Sequence, residues 1–218
     1  MKKWILFALL LVPQFVYAGE WVDIKPIGPT RGESGYLADI YSQVEPNIIG
    51  TYLDGDLVTS GHECTHAIHA RIRNSLHVAN GVYLLKGKAF TIGKCPIKLN
   101  QLAAAVPQNK RGRVYQLYLV SQQRDWNDDA LYILDELCAY TNGCIVGLDK
   151  NLEYRTIDSF NRVKEMYGYA EVLQGMCRKS NFKEQKDLDT FLSRLKRNRI
   201  GYIEGQIKKR NWTNGPSS

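Results

Sequence analysis

The run Ser60-Gly61-His62-Glu63-Cys64-Thr65-His66-Ala67-Ile68-His69-Ala70-Arg71-Ile72-Arg73 constrains this chain most, because its pattern has a chemical meaning only on a helix. Four residues advance a helix by about 400°, so His62 and His66 leave the same face one turn apart. Two ligands for one metal ion are thereby set side by side. Glu63, about 100° from His62, borders that face and reaches a water at the metal without ligating it, the position a general base needs. No proline interrupts the run, Ala67, Ile68, Ala70 and Ile72 supply an apolar side, and Thr59, Ser60 or Gly61 stands where a cap belongs. The competing reading is an amphipathic core helix whose two histidines are satisfied by neighbouring groups.

The folded part of the chain is expected to begin after Ala18. Lys2-Lys3, the apolar run Trp4 to Val12 and then Val16-Tyr17-Ala18 have the three parts of a secretory signal peptide, with cleavage expected after Ala18. Residues 1–18 are therefore read as a leader and 19–218 as a single domain, large enough for a substantial core. No later stretch approaches the ~20 apolar residues of a membrane span. An exported protein, secreted or periplasmic, is the expectation.

The formal charge of +7 falls to +5 without Lys2 and Lys3, and much of the excess lies in Arg194, Lys196, Arg197, Arg199, Lys208, Lys209 and Arg210. Glu184, Asp187, Asp189 and Glu204 are mixed among them, so this stretch reads as a solvated helix face and no nucleic-acid partner is expected. Five cysteines, Cys64, Cys95, Cys138, Cys144 and Cys177, follow the leader. In an oxidising compartment an even subset should pair as disulfides and at least one should stay unpaired.

Along the chain, Pro26, Gly28, Pro29, Gly32 and Gly35 predict an irregular segment from Gly19 to Gly35. Leu37, Ile40, Tyr41 and Val44 have helical spacing, and a short strand is expected around Ile48 to Leu53. Val82 to Leu85 and Ala89 to Ile92 around Lys86-Gly87-Lys88 read as a β-hairpin, which either offers its edge to a substrate backbone or serves only the core. Val114 to Gln123 is apolar on nearly every side and is read as a buried helix. Asn127 or Asp128 caps the next helix, expected from about Asp129 to Tyr140 with Asn142-Gly143 as its stop. Helices are also expected at about Ser159 to Arg178 and Glu184 to Lys208. The fold class is α+β, mostly helical, with one active-site helix and one hairpin.

A catalytic zinc site takes three protein ligands and keeps one position open. A histidine six residues past His66 would complete one known pattern, but that position is Ile72. His77 is close in sequence and lacks a glycine-assisted bend. Glu136, in Leu131-Tyr132-Ile133-Leu134-Asp135-Glu136-Leu137-Cys138-Ala139-Tyr140, is the better candidate, because a carboxylate in an apolar helix is costly to bury unless something compensates its charge. With these residues the chain resembles the gluzincins, zinc metallopeptidases whose third ligand is a glutamate on a helix downstream of H-E-x-x-H. The resemblance implies a zincin-like domain with His62, His66 and Glu136 as ligands to Zn²⁺ and Glu63 as general base.

One position departs from that pattern. Many gluzincins have an aspartate one turn after the ligand glutamate, and here that place is Tyr140. Its hydroxyl is a candidate donor to the oxyanion of a tetrahedral intermediate, against the alternative of a core aromatic. Asp135 is a candidate partner for a ligand histidine, although its bearing on the helix gives Asp135→Asn a much smaller expected effect than Glu136→Gln. His69 is read as a core or rim histidine. The function expected is metal-assisted hydrolysis of a peptide, protein or cell-wall amide; the alternative is an exported protein that binds metal without turnover.

Overall fold

The computed structural model describes residues 19–49 and 55–212. The leader and most of the strand expected around Ile48 to Leu53 lie outside these residues; Ile48 itself belongs to a short helix, α2, Pro46–Ile49. The remaining elements are β1 (Trp21–Asp23), α1 (Gly35–Ser42), α3 (Leu57–Leu76), β2 (Asn80–Tyr83), β3 (Lys88–Ile92), α4 (Leu99–Ala105), α5 (Gln123–Trp126), α6 (Tyr132–Asp149), α7 (Glu153–Lys179), α8 (Gln185–Leu195) and α9 (Gly201–Lys209). The fold is thus α+β and mostly helical. π-helical segments, Gln116–Ser121 and Lys196–Ile200, precede α5 and α9. No described helix is long and apolar enough to cross a membrane.

The hairpin forms as its pattern requires, with Val82 opposite Phe90 and Tyr83 opposite Ala89. It gains a third strand that the Pro- and Gly-rich segment conceals: β1 pairs antiparallel with β3, Trp21 opposite Phe90, giving the order β1-β3-β2. Three residues flanked by glycine and proline carry too little alternation to be read as a strand. β2 lies close against α3, where a Cβ on Gly81 would come within 2.4 Å of Ile72 Cγ2.

The core is organised on α6, which runs on past the stop expected at Asn142-Gly143. Nearly every residue of it is buried, Ile133, Leu134, Leu137, Ile145 and Val146 among them. Each such aliphatic side chain contributes roughly 1.5–3 kcal/mol on leaving water. The stop signal is overridden by tertiary contacts. Asn142 Nδ2 donates to the carbonyl of Tyr83 at 3.0 Å. Gly143 lies beneath α3, where a Cβ would sit 2.9 Å from the carbonyl oxygen of Val58. The same glycine that could end a helix here lets two helices meet. The start of α6 also differs from expectation: its N-cap is Leu131, with no side-chain cap, and Asp129 Oδ1 accepts from the Leu131 N–H at 3.0 Å just ahead of the helix.

All five cysteines are buried and free, so the expected paired subset is not present. Cys64, Cys138 and Cys144 are spread over α3 and α6 as small core side chains. Cys95 and Cys177 interact with each other, which pushes the Cys95 thiol well up and draws the Cys177 thiol down.

Candidate metal centre

Helix α3 starts at Asp56 rather than at the residues expected to cap it. The Asp56 carboxylate accepts from the N–H of Val58 at 3.1 Å and from the Thr59 hydroxyl at 2.6 Å, which frees Ser60 and Gly61 to lie inside the helix. The helix then runs unbroken to Leu76 and ends on His77 in the left-handed conformation, far along the axis from His62. His77 is a cap, not a ligand.

His62 and His66 leave the same face of α3, as the spacing requires, with their Nε2 atoms 3.0 Å apart. Glu136 of α6 faces both. Its Oε2 lies 3.7 Å from His62 Nε2 and 3.5 Å from His66 Nε2. Ligands held at 2.0–2.1 Å around a tetrahedral ion stand about 3.3 Å apart, so the three separations match a shared ion closely. The electrostatics agree. Glu136 Oε2 is buried and has no hydrogen-bond partner among the described residues, while Oε1 accepts from the Tyr132 hydroxyl at 2.6 Å. An anionic oxygen so placed is stable only opposite a positive charge.

The two histidines differ in protonation for a structural reason. Burial and then the adjacent His66 pull His62 well below the usual imidazole value. Burial acts on His66 in the same direction, but the hydrogen bond to Asp135 and the charges of Glu136 and Asp135 outweigh it and push it up to about 10. One positive charge thus belongs among these groups, and a metal ion can take the place of the proton.

Asp135 does more than its bearing on the helix suggested. Its Oδ1 accepts from His66 Nδ1 and lies 3.0 Å from His69 Nδ1, and its Oδ2 pairs with Arg73 Nη1. The two nitrogens of an imidazole point to opposite sides of the ring, so neighbouring residues of α6 flank His66, Glu136 on the Nε2 side and Asp135 on the Nδ1 side. Donation from Nδ1 fixes the tautomer with Nε2 toward Glu136. Burial would raise the Asp135 carboxyl, yet His69 and His66 hold it well below the usual range. His69 is fully buried and belongs to the core, which removes it from any substrate cleft.

Two groups have ligand atoms within 4.8 Å of one another, His62 with Glu63 and His66, and His66 with His69 and Asp135. These buried groups can hold a metal ion. In the second, Arg73 already supplies a positive charge to Asp135, so the first, completed by Glu136, has the stronger claim. Glu63 sits at its edge, Oε1 3.9 Å from His62 Nε2, with 38% of its side chain exposed toward the open side. Cys64 and Cys138 are fully buried in the core and contribute nothing to it.

Tyr140 packs its ring on His62, centroids 4.3 Å apart. Its hydroxyl lies 2.5 Å from that of Tyr118 and accepts from Arg162 Nη1 at 3.2 Å. Sequence reasoning missed Tyr118, Arg162, Arg73 and Tyr132. Of these only Tyr132 had a local signal, one turn before Glu136 on the same helix. No hairpin residue lines the hollows around the centre, whose walls come from α3, α6, α7 and the segment 116–126.

No family model, no curated protein and no solved structure matches this chain.

Proposed function

We propose that this chain is a zinc-dependent hydrolase of the gluzincin kind, exported by the leader at residues 1–18, which cleaves peptide bonds or the peptide amides of the cell wall. The observation that carries this reading is the buried Glu136 Oε2, which has no hydrogen bond and faces the Nε2 atoms of both histidines of an H-E-x-x-H helix. His62, His66 and Glu136 would hold the ion. Zinc so held supplies Lewis acidity and lowers the pKa of a water toward 7.

The chain's own residues account for the remaining steps. Glu63, outside the ligand triad and partly exposed, accepts a proton from water as that water adds to the carbonyl carbon, and returns it to the amine as the C–N bond breaks. Asp135 keeps His66 in the tautomer that presents Nε2. Arg162 donates to the Tyr140 hydroxyl, and Tyr118 adjoins it, so the pair has a hydroxyl hydrogen to offer the oxygen on which negative charge develops. Tyr140 also holds the His62 ring in place.

Metal analysis and an amidase screen test the reading together. Mature protein purified without chelator should carry about one zinc per chain, and His62→Ala or His66→Ala should abolish binding. Glu63→Gln should keep the metal and lose hydrolysis of peptides or peptidoglycan fragments, because it serves the water. Metal loss in Glu63→Gln with retention in both histidine variants would reverse the assigned roles. Undiminished activity in Glu63→Gln would remove the catalytic reading, and a metal-loaded protein without activity on any amide would leave a metal-binding protein.

A further inference from the structure

Two hollows open from the metal centre and share His62, Glu63 and Tyr118. One, about 220 Å³, runs between α3 and α7 and is lined by Thr59, Arg155, Asp158, Ser159 and Arg162. The other, about 540 Å³, runs between α3 and the segment 116–126 and is lined by Ala67, Ala70, Leu117, Gln122 and Trp126. A chain laid from one to the other passes Glu63 at its middle. The centre thus lies where the two hollows meet.

The charges of the cleft are already committed. Arg155 is paired with Asp56 and donates to Thr59 at 3.1 Å, Arg162 is paired with Asp158 at 2.9 Å, and Arg73 is paired with Asp135. An enzyme that trims chain ends needs a fixed charge to hold a terminal carboxylate or ammonium, and these guanidinium groups are neutralised by partners of their own. The larger hollow is also lined by Arg73, Asp135 and Glu136, with Arg73 over the Trp126 ring, but it adds an apolar patch. Leu117 is 49% exposed and Trp126 38%, two of the few large apolar side chains exposed among the described residues, and both fall in this one hollow. Ala67 and Ala70 lie on the opposite wall as small residues that leave room. Trp126 is held by stacking on Tyr132, centroids 4.7 Å apart and planes within 10°, and Tyr132 in turn donates to Glu136. The apolar wall is thereby tied to the third ligand.

We infer that the substrate is a polypeptide cut internally, with a bulky apolar side chain seated against Leu117 and Trp126 on one side of the scissile bond and a polar residue in the Arg155–Arg162 hollow on the other. This rests on the hydrolase reading above. Losing a large apolar side chain from such a seat should lower kcat/KM by about tenfold or more.

The test has two arms. In the first, zinc-loaded mature protein is given peptides blocked by N-acetyl and C-amide groups, and products are read by mass spectrometry. Internal cuts beside Phe, Leu or Met are expected, with Trp126→Ala and Leu117→Ser each reducing the preference for Phe over Ala at that position while zinc content holds. Cleavage only of free-ended peptides, or a preference unmoved in both variants, overturns the inference. The second arm needs no turnover: phenylalanine hydroxamate should bind at least about tenfold tighter than acetohydroxamate and change the Trp fluorescence, and Trp126→Ala should remove both effects. Equal binding of the two hydroxamates overturns the apolar seat. If no blocked peptide is cut yet the hydroxamate preference holds, the hydrolase reading fails while the apolar seat stands.

Discussion

Asp135 and Glu136 are neighbours on one helix and act on opposite edges of one imidazole. Their separate effects on metal binding follow from that geometry. Glu136→Gln replaces an anionic ligand by a neutral amide at a buried site, and zinc affinity should fall by more than the about 10–100-fold expected when an orienting partner is lost. Asp135→Asn should itself cost about 10–100-fold, because the amide accepts poorly and leaves His66, His69 and Arg73 without the carboxylate they surround. This replaces the small effect expected from helical bearing alone. Competition titration against a chromophoric chelator measures both. An Asp135→Asn affinity within twofold of the parent would show that the carboxylate does not orient the ligand, and an unchanged Glu136→Gln would remove Glu136 from the site.

Between elements, the decisive contact is that of α3 with α6, and it depends on a glycine. Gly143→Ala would press a methyl group against the Val58 carbonyl, a backbone atom that cannot swing away, and should destabilise the fold by about 1–3 kcal/mol. A methyl group added at Gly168 in α7 would meet nothing within 4 Å, so Gly168→Ala should stabilise by about 0.5–1 kcal/mol. Thermal or denaturant melts decide the pair, and equal shifts would refute the packing argument. The same glycine at 143 marks where local reading ends. Helix α3, the hairpin and α1 were legible because spacing and turn residues specify them locally. The length of α6 was not, because Asn142-Gly143 has the look of a stop and its partners, Tyr83 and Val58, come from distant parts of the chain. The site divides in the same way. His62 and His66 follow from i,i+4 spacing and Glu136 from the cost of a buried charge, whereas Tyr118, Arg162 and Arg73 are placed by packing alone.

For the molecule as a whole, the proposed ligands join two central helices, α3 and α6, and α7 closes over α6 where Ser159 Oγ donates to the Tyr140 carbonyl at 3.3 Å. No such arrangement survives unfolding, so an ion bound there favours the folded state by RT ln(1 + [L]/Kd), about 2.7 kcal/mol at a hundredfold excess over Kd. For a chain of this length, each kcal/mol moves Tm by roughly 2–4 °C, so chelation should lower the Tm of the zinc-loaded protein by about 5–10 °C under those conditions. The variants separate a metal effect from a general one. His66→Ala should melt at the same temperature with and without chelator, while Glu63→Gln should keep the full shift, since its carboxylate stands beside the ligand triad and not in it. A chelator shift that persists in His66→Ala would place the stabilising ion elsewhere, and its absence in the parent would mean that α3 and α6 are held by their apolar faces alone.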